Sequence, residues 1–89
     1  MDRAEAYELA SRELGLIESS GYGAAAEHID TAAQKVVSVS SGNSYDVEIS
    51  YHWKEARHEH ILVICTVTSK SWFVHEKLEE SVTLYEAAN

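Results

Sequence analysis

The sequence predicts an α+β fold: one long and one short N-terminal helix packed on one face of an antiparallel four-stranded meander. Three observations predict it. Apolar residues recur at helical spacing up to Ser19-Ser20-Gly21. From Gln34 the period changes to two, most clearly over 45–53. Turn clusters rather than helical segments separate the later apolar runs, and helices gathered on one face of such a meander make a two-layer sandwich.

The first helix is expected over 3–19. Asp2 and Glu5 have capping-box spacing, and Tyr7, Ala10, Leu14 and Ile17 form one apolar stripe with Ala6 beside it. Leu9 and Leu16 form a second shoulder, and Glu8 and Arg12 make an i,i+4 pair outside. Gly21 suits a left-handed cap. A short second helix is expected over 23–29.

Strands are expected over 35–41, 45–53, 60–68 and 71–75, with a short terminal strand over 81–85. In the second, Tyr45, Val47, Ile49, Tyr51 and Trp53 alternate with Asp46, Glu48, Ser50 and His52, the pattern of a half-buried antiparallel strand. A three-residue loop over 42–44 would set Val39 opposite Val47 and Val37 opposite Ile49, keeping apolar residues on one face. The third strand, HILVICTVT, is apolar on both faces, which predicts a central position. A two-residue turn at Ser69-Lys70 would pair Thr66 with Phe73 and Ile64 with His75. The charged run from Glu76 to Glu80 reads as a polar connection. The expected inner core is Tyr7, Ala10, Leu14, Ile17, Val47, Ile49, Tyr51, Val63, Cys65, Val67 and Trp72.

Eighty-nine residues make a single domain, 1–89. Hydrophobic residues at 45% and charged residues at 25% are ordinary for a folded chain, which argues against disorder. No apolar run is long enough for a membrane span, and the acidic, amphipathic N-terminus has no signal-peptide core, so the expected compartment is the cytoplasm. One cysteine, Cys65, leaves no internal disulfide. A net charge of −8 with seven scattered Lys and Arg argues against nucleic acid and anionic membranes. It favours solubility and is compatible with a basic partner.

Around SSGNSYDVEISYHW, which follows a helical N-terminus carrying YELASREL, the chain is similar to a family of small uncharacterised bacterial proteins. The matching positions are Ser41, Gly42, Tyr45, Val47, Glu48, Trp53, Ile61, Val63 and Trp72. Here the turn after Trp53, KEARHEH, has neither Pro nor Gly, and Ser71 stands where the family has Gly before the later Trp. The resemblance implies the same α+β architecture and no activity.

Three constellations invite chemistry. A five-residue turn over 54–58 would set His52 opposite His60, with His58 on the same face. Paired Cβ atoms lie about 5 Å apart, so His52, His58 and His60 could bind Zn²⁺, Ni²⁺ or Cu²⁺. No standard ligand motif supports this, and hairpin geometry alone explains the crowding. Cys65 with His75 could form a nucleophile and base, but an inward position on a central strand suits a small core residue better. Glu76, Glu79 and Glu80 read as solvated carboxylates, and no phosphate-binding glycine loop is present. No catalytic residue or cofactor is therefore assigned.

The remaining feature is an apolar outer face, Leu62, Ile64 and Phe73, opposite the helices. Either the C-terminal segment with Val82, Leu84 and Tyr85 folds over it, or a protein partner or second copy does. Three functions follow: a non-enzymatic interaction or homodimerising module, an acidic immunity-type inhibitor of a basic enzyme, and a small metal-binding protein using the histidines.

Overall fold

The computed structural model describes residues 1–55, 59–69 and 76–86. It has the expected α+β arrangement: a helix, α1 (Arg3–Ala26), then β1 (Ala32–Ser38), β2 (Ser44–Trp53), β3 (His60–Ser69) and β4 (Lys77–Tyr85). The sheet is antiparallel with order β1-β2-β3-β4. Expected strand 71–75 and core residue Trp72 lie outside the described residues.

Asp2 caps α1, its carboxylate accepting from Glu5 N at 3.0 Å. The two expected helices are one element interrupted at Gly21, whose φ of 88° and ψ of 174° belong to a region that only glycine adopts readily. The second segment ends at Ala26, short of 29. Asp30, at φ 63°, turns the chain into β1, and Thr31 N donates back to His28 O at 3.0 Å.

The helix buries Ala6, Leu9, Ala10, Glu13 and Leu14, with Ile17 partly buried. Tyr7 is therefore a correction: it is 53% exposed, and Leu9 takes its place in the core. At about 100° per residue the buried axis runs between Ala6 and Glu13, roughly 100° from Tyr7. Excluding the charged Glu13 from the apolar stripe tilts the reading toward Tyr7.

Odd-numbered residues of β2 and β3 face inward, and Tyr45, Val47, Ile49, Ile61, Val63, Cys65 and Val67 are buried. Tyr51 is half-buried. Leu78 and Leu84 of β4 and Ala25 complete the core.

Both hairpins keep the expected loop length and shift its place. The first has three loop residues, 40–42, closed by Val39 N donating to Asn43 O at 3.0 Å and Gly42 N to Val39 O at 2.9 Å. Gly42 at φ 95° takes the left-handed third position of such a loop. Val37 therefore pairs with Tyr45 and Lys35 with Val47, and β1 begins three residues before the expected 35. In the second, five residues separate Lys54 from His60, Lys54 N donates to His60 O at 2.8 Å, and Tyr51 pairs with Val63 and Trp53 with Ile61. Each register differs from the expectation by an even sum, so every side chain keeps its face.

The charged segment after Glu76 is the larger correction. It joins the terminal strand to form β4, with Thr66 opposite Glu79 and Ile64 opposite Ser81 rather than Phe73 and His75. An edge strand can expose Lys77 and Glu79 to water while Leu78, Val82 and Leu84 reach the core.

Candidate interaction surface

The helix covers one face of the sheet, packing mainly on β3 and β4. Among the described residues no element lies on the other face. Segment 77–85 lies within the sheet as an edge strand, and Val82 and Leu84 turn inward, so it does not fold across that face.

The outer face has two halves. In one, Leu62 sits between His52 and Thr83, and Ile64 between Ser50 and Ser81. Both apolar side chains are partly buried on a central strand. Tyr85, 64% exposed, extends this half, its ring edge-on to His60 with centroids 4.9 Å apart. Lys54 Nζ donates to Thr83 Oγ1 at 3.0 Å and stands 5.9 Å from the Tyr85 ring centre. In the other half, Gln34, Asp46, Glu48, Thr66, Thr68 and Lys77 line a shallow depression of about 280 Å³. Phe73, the third residue of the expected face, lies outside the described residues.

The histidines stand differently from the expected pairing. His52 is opposite Leu62, its Nε2 2.9 Å from Ser50 Oγ, and His60 is opposite Tyr85. The one-residue shift of the loop separates the two imidazoles into diagonal positions. His60 Nδ1 is buried with no hydrogen-bond partner among the described residues. His58 lies outside those residues, and among them no three His, Cys, Asp or Glu side chains gather to hold a metal ion.

Cys65 is fully buried on the inner face. Burial pushes its thiol up to about 11, reinforced by nearby Glu13 and opposed by Lys35. A thiol held protonated is a poor nucleophile. Its suggested base, His75, lies outside the described residues. The three C-terminal carboxylates are dispersed. Glu76 accepts from the N-terminal ammonium at 3.3 Å, Glu79 is on the outer face, and Glu80 is on the inner face opposite Cys65.

Two polar constellations escape the sequence reading. Glu13 on α1 accepts from Lys35 Nζ of β1 at 2.7 Å. The clue is a lone acid centred on an apolar stripe, matched by a lone Lys at an inward strand position. Glu5 Oε1 accepts from Tyr45 Oη at 2.6 Å and Asn43 Nδ2 at 3.0 Å. These bonds hold the Glu5 carboxyl below its ordinary range, while burial first and then Glu5 push Tyr45 up to about 12. Both constellations join α1 to the β1–β2 hairpin.

Among the described residues no helix is long and apolar enough to cross a membrane. No protein-family model, curated protein or solved structure matches the chain.

Proposed function

We propose that this chain is a small acidic, non-enzymatic protein-interaction module whose contact surface is the outer face of its sheet. The observation supporting the reading is the position of Leu62 and Ile64: partly exposed, adjacent in one row, and central on a face with no covering element among the described residues. Fully burying such a side chain is worth roughly 1.5–3 kcal/mol, so the exposed minor part of each leaves at most about 1 kcal/mol for a partner. Glu48 and Glu79 at the other half favour a partner whose apolar ridge is bordered by Lys or Arg.

Site-specific photocrosslinking in cells tests the reading. A photoreactive residue at position 64 should give a discrete adduct that Leu62→Asp removes. The same group at Glu18, exposed on the helix, should give none. Equal adducts from both positions, or none from position 64, would count against the outer face as the contact.

A further inference from the structure

We propose that β1 pairs antiparallel with β1 of a second copy of this chain, joining two four-stranded sheets into one of eight strands. The inference rests on the sheet edge and is independent of the outer-face reading.

The hydrogen-bond pattern defines the edge. Val39 N donates to Asn43 O, and Tyr51 N donates to Thr31 O at 3.3 Å. Both contacts place odd-numbered residues of this segment in the hydrogen-bonded pairs with the neighbouring strand. In an antiparallel ladder the alternate residues point their N–H and C=O groups the other way. Ala32, Gln34, Val36 and Ser38 therefore present theirs along the open side of β1, where no described strand pairs with them.

Nothing described obstructs that side. No Cα of α1 comes within 8 Å of a Cα of β1. All of β1 except Val37 is exposed, Val36 to 59%.

Two of the usual guards of a free edge, proline and a bulge, are missing. The chain has no proline, and the β1–β2 register runs from Ala32 to Ser38 without a bulge. A third guard, an inward-pointing charge, is present in Lys35, and Glu13 engages it. The opposite edge, β4, carries Lys77, Glu79 and Glu80.

Charge selects a second copy as the occupant. All fifteen acids lie outside residues 31–45, and that stretch carries one Lys. Two chains of net charge −8 can thus meet through a strand that itself carries no acid, with Asp46 and Glu48 set one strand back. Side-chain parity agrees: pairing through the outward groups sets even residues against even, so inner and outer faces match across the junction.

Sedimentation velocity on the full chain, with circular dichroism to confirm folding, provides the test. The native chain should sediment at twice its 9.9 kDa mass at high micromolar concentration. Gln34→Pro removes an outward N–H that serves no bond within the sheet, so it should stay folded and become monomeric. Val36→Lys, which guards the edge without touching the backbone, should weaken the dimer at least tenfold. Ile64→Asp should leave the dimer intact while disrupting an outer-face contact. A monomeric native chain, or a dimer that survives both edge variants, would overturn the proposal. A dimer broken by Ile64→Asp and untouched by the edge variants would place self-association on the outer face instead.

Discussion

Lys35 Nζ lies 2.7 Å from Glu13 Oε1, linking α1 to the strand that its backbone does not approach. The Glu13 side chain is 9% exposed and that of Lys35 is 52% exposed, so the acid carries most of the desolvation. Lys35→Met should cost about 1–3 kcal/mol by leaving that carboxylate without its donor. Adding Glu13→Leu should recover most of the loss, because an apolar pair there has nothing left unsatisfied. Urea unfolding of the two single variants and the double variant checks this. Additive losses would mean that the two residues do not act together.

Two glycines in α1 should respond in opposite directions. Gly21 has φ 88° and ψ 174°, and no neighbour lies within 4 Å of a Cβ built on it, so Gly21→Ala meets backbone strain alone. A cost of about 1–3 kcal/mol is expected. Gly15 lies in the regular helix with the same open surroundings, and Gly15→Ala should stabilise by about 0.5–1 kcal/mol. Thermal denaturation of both variants should show melting temperatures on opposite sides of the native value.

The Tyr45–Glu5 bond should make stability depend on pH at both extremes. Tyr45 is raised from 10.0 to about 12 in the folded chain. Its contribution is therefore complete below pH 10 and is lost as pH rises to about 12. Glu5 is held below its ordinary 4.5, so its contribution is present above that pH and fades as pH falls through the lower folded value. Tyr45→Phe should remove the Tyr45 part of the alkaline loss and weaken the acid dependence from Glu5. Ultraviolet titration should show one tyrosinate appearing near pH 12 in the native chain and absent from the variant.

The assignment of residues to faces was legible in the sequence because alternation survives any even change of register. Val47, Ile49, Val63, Cys65 and Val67 accordingly stand where the pattern puts them. Register itself was less legible. The apolar spacing puts a three-residue loop at 42–44, but the positive φ of Gly42 requires it as the last loop residue. The buried side of α1 was obscured by Glu13, whose partner lies 22 residues away in sequence, and β4 by its charges, which an edge strand can hold in solvent. Leu62 and Ile64 were legible as an outer apolar pair because β3 is apolar on both faces. The neighbours of His52 and His60 were not, since a one-residue loop shift exchanges a facing imidazole for Leu62 beside His52 and Lys54 beside His60.

Inner and outer residues of β3 should differ sharply in their effect on folding. Ile61 is fully buried, and Ile61→Ala should cost about 2–5 kcal/mol. If the outer face exists for contact, the double variant Leu62→Lys, Ile64→Lys should stay folded, within about 1 kcal/mol of the native chain, since partly exposed strand positions can hold lysine with its charge in water. Urea unfolding of that double variant, at a concentration where the chain is monomeric, is the most direct test of the account. A native-like midpoint, with the position-64 adduct lost when Leu62 alone is made Lys, is the result it predicts. Unfolding, or a loss as large as that of Ile61→Ala, would show that these side chains hold the fold together, and would contradict it.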